Sequence, residues 1–252
     1  MTVMGWRHSW LVLGRQARLA LADPGPSFVL PMMPAALMIV VFTSVFDSLA
    51  LAEGFADGPH AAAGWDAFLV PGAVVLVALL GAGFTSSSLA GDLRSGYVDR
   101  LRLADIGPGP ALVGRLAFEG VRLVPATVVV LLIGAFVGAE ATNGPAGVLV
   151  LVIVVALLGV AFSSLFHLVA IATEDPQTPF TLQPLGLPLA FLSTALVPVA
   201  VMPVWSEALA RLNPVSVVVD AGRSAMIGDL GSAELGVALV GLTVWIVFAT
   251  AT

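Results

Sequence analysis

The chain has 252 residues, of which 59% are hydrophobic and only 10% are charged. A soluble domain carries about 25% charged residues, so this composition is that of a protein embedded in a bilayer. All 10 basic residues are arginine, and there is no cysteine. Without lysine the chain has no Walker-A phosphate loop and no Schiff-base catalyst. Without cysteine it has no disulfides, thiolate nucleophiles or cysteine metal sites.

Six apolar segments are long enough, or nearly long enough, to cross a bilayer, since a spanning helix needs about 20 mainly apolar residues. They cover residues 28–50, 68–90, 123–139, 146–173, 180–202 and 233–252. The third segment is short, but an amphipathic stretch before it can add helical turns. The sequence therefore predicts an all-α integral membrane protein with six transmembrane helices, forming a single domain over residues 1–252.

The arginines predict the orientation, because cytoplasmic segments carry an excess of basic residues. With a cytoplasmic N-terminus, only Arg211 and Arg223 of the 10 arginines lie outside. We therefore expect a multi-pass protein of the plasma (inner) membrane with both termini in the cytoplasm. The net charge of −6 then reflects an acidic outer face and does not indicate nucleic-acid binding.

The first 22 residues predict an amphipathic helix lying in the membrane interface. Its apolar stripe consists of Trp6, Trp10, Leu13, Ala17 and Leu21. Arginines occupy the opposite face, as interfacial helices require. Such a helix can serve as a topological anchor or take part in gating, and the pattern leaves both interpretations open.

The segment between the second and third spans is the most informative cytoplasmic piece. Leu93, Tyr97 and Leu101 recur every fourth residue, which predicts a short helix with one apolar stripe. Such a stripe can dock into a groove on a cytoplasmic partner, although a solvated loop supplying positive charge would have the same composition. The candidate docking residues are Asp92, Leu93, Arg94, Gly96, Tyr97, Asp99, Arg100, Leu101 and Arg102.

Arg115, Glu119 and Arg122 share one helical face just before the third span, because they are spaced by four and three residues. At the cytoplasmic rim of the membrane, such a triplet is either a structural ion network or a functional site. The spacing does not distinguish the two.

The predicted spans contain little chemistry, with Asp47 and Glu234, both near span ends, as their only charged residues. Proton- or sodium-coupled carriers usually place ionisable groups near the bilayer midplane, so a self-sufficient carrier or channel is the less favoured alternative. Ser163 and His167 lie one turn apart and raise the possibility of an intramembrane hydrolase. A locally bonded pair on one helix has the same spacing, and no G-x-S-x-G elbow is present. We predict no catalytic residue and, with three scattered histidines, no metal site.

Residues 203–232 are too apolar for a plain loop and too interrupted by proline and glycine for a span. Irregular backbone at membrane depth is tolerated only where protein covers it. We expect two short external helices here that re-enter the outer leaflet between spans five and six.

Three stretches together resemble the ABC-2 type exporter permeases, especially the daunorubicin-resistance-like members that export drugs and lipids in actinobacteria. The first is residues 91–102, which is similar to the family's coupling helix. The second runs from Asp175-Pro176-Gln177-Thr178 into residues 188–198. The third is similar to the family's external re-entrant segment and contains Met202-Pro203-Val204-Trp205, Leu212-Asn213-Pro214-Val215-Ser216 and Asp220-Ala221-Gly222-Arg223. They occur in the family's order along nearly the whole chain.

The resemblance implies that two permease chains, identical or paralogous, pair within the membrane lipids. Each would dock through its coupling helix onto one of two separate ATP-binding subunits, which bind ATP and Mg. The chain itself would then carry no cofactor and catalyse no reaction. It would be the passive conduit for an amphipathic drug or lipid. The implied pathway between spans one, two and five has Phe42, Phe84, Phe191 and Thr194 as candidate lining residues.

Overall fold

The computed structural model describes residues 3–45, 63–103 and 106–251, with side chains between residues 6 and 246, as helices and turns without a β-strand. The helices are α1 (Val3–Ala22), α2 (Leu30–Val45), α3 (Gly64–Arg94), α4 (Tyr97–Leu103), α5 (Pro108–Phe136), α6 (Gly144–Thr173), α7 (Gln177–Leu182), α8 (Gly186–Phe191), α9 (Val204–Leu212), α10 (Pro214–Ile227) and α11 (Ala233–Ala251). The predicted all-α class is confirmed. Asp47 lies outside the described residues.

Four helical segments of the described chain are long and apolar enough to cross a membrane, namely Gly25–Val45, α3, α5 and α6. They correspond to the first four predicted spans. The first of them begins with a π-helical turn, Gly25–Val29, before α2. The part of α11 with described side chains, Ala233–Ile246, is a shorter apolar helix. The chain is thus a multi-pass membrane protein by length and composition.

The third span differs from the prediction because α5 begins at Pro108 rather than near residue 123. The amphipathic stretch before residue 123 is the first part of this helix, and it buries its polar face against other helices. Arg115, Glu119 and Arg122 are consequently buried inside α5 rather than placed at a solvated rim. The expectation that the spans carry charges only near their ends, at Asp47 and Glu234, is wrong for this helix.

The predicted fifth span over residues 180–202 is broken into short helical pieces rather than only kinked. It consists of α7, a 3-10 turn at Gln183–Leu185, and α8, which ends at Phe191. Irregular turns follow up to a second 3-10 turn at Val199–Val201. The cause is proline at positions 184, 188 and 198, because proline donates no backbone hydrogen bond and clashes with the preceding turn.

Two helices, α9 and α10, occupy the stretch predicted to hold two external helices. The carboxamide oxygen of Asn213 accepts a 2.9 Å hydrogen bond from the Val215 backbone N–H and caps α10. The two helices differ in environment. Trp205 and Leu212 of α9 are exposed, whereas most of α10 is buried against the bundle.

Helix α3 is the centre of the fold and is buried along most of its length. It packs between α2, α5, α6 and α10, whose inner faces complete one apolar core. The outer faces of the surrounding helices expose large apolar side chains such as Leu132 on α5 and Leu149 on α6. Exposed apolar faces of this kind are unfavourable in water and fit a lipid environment.

Helix α1 packs along the first turns of α5, where the Ser9 hydroxyl donates a 3.0 Å hydrogen bond to the Pro110 carbonyl. Trp6 and Trp10 face away from the bundle and are exposed. The predicted amphipathic helix is therefore present, with an outward stripe of aromatic side chains of the kind that favours the membrane interface.

Candidate functional site

An apolar cleft of about 240 Å³ lies between α2, α3 and the broken fifth span. Its lining residues are Pro34, Leu37, Met38, Val41, Phe42, Gly72, Leu76, Leu187, Ala190, Phe191, Ala195 and Leu196. Two of the four predicted pathway residues, Phe42 and Phe191, therefore share one cleft. Its walls come from spans one, two and five, and an apolar lining suits the hydrophobic part of an amphipathic molecule.

The other two predicted pathway residues lie elsewhere. Thr194 is buried behind the cleft, where its hydroxyl donates a 2.8 Å hydrogen bond to the Asp220 carboxylate. Phe84 packs edge-on against Phe180, with 5.0 Å between ring centroids, and is not among the lining residues of the cleft.

A second apolar cavity, of about 450 Å³, lies between α6, α8, α10 and α11. Phe162 and Trp245 contribute its largest side chains, but none of the predicted pathway residues lines it. The smaller cleft is the better candidate for a pathway because the broken span forms one of its walls.

Arg223 of α10 anchors the end of the broken span next to the cleft. Its guanidinium donates to the carbonyls of Thr194 and Ala195, and to the Phe68 carbonyl of α3 at 3.1 Å. It also pairs with Asp220 at 3.0 Å and stacks 3.6 Å from the centre of the Phe68 ring. Only 1% of Arg223 is exposed, so these contacts replace its solvation completely.

Asn213 supports the same segment from the start of α10. Its side-chain amide donates hydrogen bonds to the carbonyls of Leu189, at 2.7 Å, and Leu192, at 3.1 Å. Together with Arg223, it supplies donors to backbone carbonyls at the point where α8 ends. This satisfies polar groups that would otherwise be buried without partners.

A polar network also crosses the other half of the bundle. Arg122 pairs with Glu119, whose carboxylate accepts a 3.0 Å hydrogen bond from the Thr85 hydroxyl on α3. Thr85 in turn lies 3.0 Å from the Ser163 hydroxyl on α6. Arg122 also donates a 2.6 Å hydrogen bond to the Ser27 carbonyl in the π-helical turn. The network thus joins the first four spans.

Ser163 and His167 belong to this network as a locally bonded pair, with the Ser163 hydroxyl 3.2 Å from the imidazole Nδ1. The imidazole Nδ1 lies 2.8 Å from the Ser163 carbonyl and 3.0 Å from the Ser86 hydroxyl. Both side chains are fully enclosed, and neither lines the two cavities described above. Among the described residues, no group of His, Asp and Glu side chains is arranged to hold a metal ion.

Asp92, a predicted docking residue, is an internal anchor at the end of α3. Its carboxylate accepts a bidentate pair of hydrogen bonds from Arg15 of α1, at 2.7 and 2.8 Å, and pairs with the buried Arg115 of α5. Arg15 also lies 4.0 Å from the centre of the Tyr97 ring at the start of α4. Burial alone lowers the pKa of Arg15, but the hydrogen bonds and charge of Asp92 outweigh it and hold that pKa above its ordinary value.

The predicted docking helix is divided by a turn. Gly96 adopts φ +66°, which favours glycine, so Leu93 belongs to α3 whereas Tyr97 and Leu101 belong to α4. The expected stripe of three residues on one helix is therefore wrong. The outward-facing docking candidates are Arg94, Asp99, Arg100 and Arg102, whereas Leu93, Gly96, Tyr97 and Leu101 are half-buried.

The junction between α6 and α7 lies beside the end of α3. Arg94 is 3.6 Å from the Asp175 carboxylate, and the Thr178 hydroxyl donates a 2.9 Å hydrogen bond to the same group. The hydrogen bond from Thr178 is the main cause that lowers the pKa of Asp175. Arg94 thus connects the first part of the predicted docking segment to the start of the broken span.

Sequence reasoning placed none of Asn213, Asp220 and Arg223 among the site residues, although all three hold the broken span. One signal was available. Asp220 and Arg223 are spaced by three residues within an otherwise apolar helix, and such an isolated charge pair is costly to bury unless it binds something inside the protein.

Long apolar helices around a buried core, with apolar side chains exposed on the outer helix faces, define the class as a multi-pass membrane protein. Residues 7–227 match the profile of the ABC-2 type transporter family, so the chain belongs to this family.

The relatives that the chain resembles are named for resistance to the drugs daunorubicin and doxorubicin. The chain is 28% identical over 213 residues to the daunorubicin resistance ABC transporter permease protein DrrB1 of Streptomyces coeruleorubidus, covering 84% of this chain and 74% of the relative. It is 26% identical over 210 residues to the probable doxorubicin resistance ABC transporter permease protein DrrC of Mycobacterium tuberculosis, covering 83% and 72%. No solved structure matches the chain significantly.

Proposed function

We propose that the chain is the membrane subunit of an ATP-driven exporter that moves an amphipathic drug or lipid out of the cell. Its energy comes from a separate ATP-binding subunit, which binds ATP and Mg and docks on α4. Two permease chains and two ATP-binding subunits form the complete transporter in the plasma membrane, with α1 and α4 on the cytoplasmic side.

The observation that carries this proposal is the junction at Asp92. One carboxylate joins α1, α3 and α5 directly before the exposed helix α4. A force applied to α4 therefore acts on three helices at once, including α3, which forms a wall of the apolar cleft. Charge-assisted bidentate pairs are suited to this role because their geometry is fixed.

The cleft and the names of the relatives support the proposed substrate class. The lining of the cleft is apolar, so it suits the hydrophobic body of a drug or the acyl chain of a lipid. The names of the relatives refer to daunorubicin and doxorubicin resistance, which makes daunorubicin the first probe to use.

Glu119 favours a proton-coupled carrier as the second candidate, since it is a fully buried carboxylate within a spanning helix. Its ion pair with Arg122 and the hydrogen bond from Thr85 oppose this role, because they hold the carboxylate inside the bundle. The two candidates differ in their energy source, which transport measurements in vesicles distinguish.

Co-purification tests the docking site on α4. The exposed pair Asp99–Arg102 on α4 has a matched control in the exposed pair Glu207–Arg211 on α9, at the proposed external end. Detergent extracts of cells expressing the whole operon should yield an ATP-binding protein with the parent and with the Glu207→Ala/Arg211→Ala variant. The Asp99→Ala/Arg102→Ala variant should lose that protein. Equal recovery with all three chains would contradict docking on α4.

A further inference from the structure

Two backbone carbonyls, those of Ser27 in the first span and Thr194 in the fifth, lie outside regular α-helix. Ser27 is in the π-helical turn at the start of the first span, and Thr194 is in the turns that end the fifth. Pro31 and Pro198 lie four residues beyond them and have no backbone N–H to donate.

A buried arginine donates a hydrogen bond to each of these carbonyls. Arg122 donates a 2.6 Å hydrogen bond to the Ser27 carbonyl, and Arg223 donates to the Thr194 carbonyl. The arginines come from different helices, α5 and α10, and each is at most 2% exposed. The same solution therefore occurs twice, at two unrelated points of the chain.

The site of Arg122 is built around its guanidinium. Glu119 binds two of its nitrogens, and Thr85 orients that carboxylate from α3. Gly81 of α3 leaves the room, because a Cβ atom at this position would collide with the guanidinium. The arginine thus connects the foot of the first span to both α3 and α5.

The site of Arg223 is built in a parallel way. Asp220 pairs with the guanidinium, and the Thr194 hydroxyl orients that carboxylate. Gly72 of α3 leaves room for the broken span, because a Cβ atom there would collide with the Ala195 carbonyl. This arginine connects the end of the fifth span to α3 and α10.

The two attachments lie at opposite ends of the same cleft. Ala195 and Leu196 line the cleft directly after Thr194. On the first span, Pro34 and Phe42 line it after Ser27, and Phe42 lies roughly 22 Å along the helix from Ser27 at about 1.5 Å per residue. If the hydrogen bond to Ser27 is lost, the start of the first span is free to move. If the hydrogen bond to Thr194 is lost, the end of the fifth span is free to move, at the opposite end of the cleft.

We propose that Arg122 and Arg223 are positioning residues that keep the two ends of the cleft closed, Arg122 at the cytoplasmic end and Arg223 at the outer end. Loss of either hydrogen bond to the backbone opens the cleft to that side only. This inference rests on the proposed function for its naming of the two sides.

Cysteine labelling tests the proposal directly, because the chain has no native cysteine. A Leu76→Cys substitution places a thiol in the cleft at a position that is 5% exposed. The full chain is labelled with a charged, membrane-impermeant maleimide in inside-out and right-side-out vesicles. The closed parent should react slowly from both sides.

Neutral double variants remove each attachment without leaving a buried carboxylate unpaired. Glu119→Gln/Arg122→Gln should raise the labelling rate about tenfold from the cytoplasmic side only, as expected for the loss of one charge-assisted hydrogen bond. Asp220→Asn/Arg223→Gln should raise it about tenfold from the outside only. An increase from both sides in either variant, or from neither side in both, would overturn the proposal.

Two glycine-to-alanine variants test the role of Arg122 even if a charge variant does not fold. Gly81→Ala displaces the Arg122 guanidinium without changing any charge and should reproduce the cytoplasmic-side increase. Gly236→Ala in α11 has open space at the added Cβ and should label like the parent. Identical behaviour of the two alanine variants would contradict the role of Arg122.

An Arg100→Cys variant in the exposed helix α4 tests the orientation separately. It should react from the cytoplasmic side only. If it reacts from outside, the proposed orientation is wrong. The labelling test of Arg122 and Arg223 then still applies, with the cytoplasmic and outer sides exchanged.

Discussion

The two ends of the bundle use buried arginines in different ways. At the proposed cytoplasmic end, Arg122 pairs with Glu119, which is 0% exposed, and the carboxylate is linked through hydroxyl groups to α3 and α6. At the proposed outer end, Arg223 binds mainly backbone carbonyls, and the side chain of its partner Asp220 is 38% exposed. The first arrangement fixes helices to one another, whereas the second holds the end of a broken helix.

This difference indicates which end yields more easily. A buried pair that loses one partner leaves a charge without solvent, which is strongly destabilising. A partly exposed carboxylate can be solvated by water when its arginine leaves. We therefore expect the outer end to open at a smaller free-energy cost than the cytoplasmic end, as suits a path that releases substrate outward.

The largest effect is expected for Arg122→Ala, which strands Glu119 in the bundle core. The free energy of unfolding should fall by about 3–5 kcal/mol, the cost of breaking a buried pair. Chemical unfolding of the purified chain in detergent measures this change. The Glu119→Gln/Arg122→Gln variant, which removes both charges, should lose clearly less unfolding free energy. An equal loss would show that the unpaired Glu119 charge is not the cause of the effect.

The next effect is expected for Asp92→Ala. This change leaves Arg115 buried without its carboxylate, whereas Arg15 is partly exposed and can turn to solvent. We expect a loss of about 3 kcal/mol, near the lower end for a buried pair. The same substitution should uncouple ATP hydrolysis from transport, and normal coupling with reduced stability would contradict the role of the junction at Asp92.

A smaller loss is expected for Arg223→Ala, because Asp220 remains in contact with solvent. The lost hydrogen bonds to carbonyls correspond to about 2 kcal/mol in unfolding free energy. Asp220→Asn should lose less than this, since the guanidinium keeps its carbonyl partners. A loss equal to or larger than that of Arg122→Ala would reverse the comparison between the two ends.

The smallest effect is expected for the exposed pair on α9. Glu207→Ala/Arg211→Ala should change the unfolding free energy by less than about 1 kcal/mol, since exposed ion pairs contribute little. Thermal unfolding in detergent measures it. A larger loss would show that α9 makes contacts in the membrane that its exposed surface does not indicate.

Much of the fold could be predicted because long apolar segments have few alternatives in a membrane. The spans containing α3 and α6 follow directly from their runs of apolar residues. The start of α5 could not be placed from hydropathy, because a polar face such as that of Arg115 and Glu119 has the same pattern whether it meets water or other helices. The break in the fifth span was signalled by its prolines, but their number alone does not distinguish a kink from a break.

The candidate site was only partly predictable for a similar reason. Phe42 and Phe191, predicted from the family resemblance as pathway residues, line the same cleft in the structure. Thr194 is turned toward Asp220 instead, because a buried hydroxyl follows its hydrogen-bond partner rather than the apolar space. Arg223 is 155 positions from the Phe68 carbonyl that it binds, and contacts of such separation are fixed by packing rather than by local pattern.

The central claim is that transport by this chain is driven by ATP bound to a partner. Uptake of daunorubicin into inside-out vesicles, prepared from cells expressing the whole operon, tests it most directly. We predict uptake that requires ATP, persists in the presence of a protonophore, and disappears with the Asp99→Ala/Arg102→Ala variant. Uptake that needs no ATP and is abolished by the protonophore would contradict the claim.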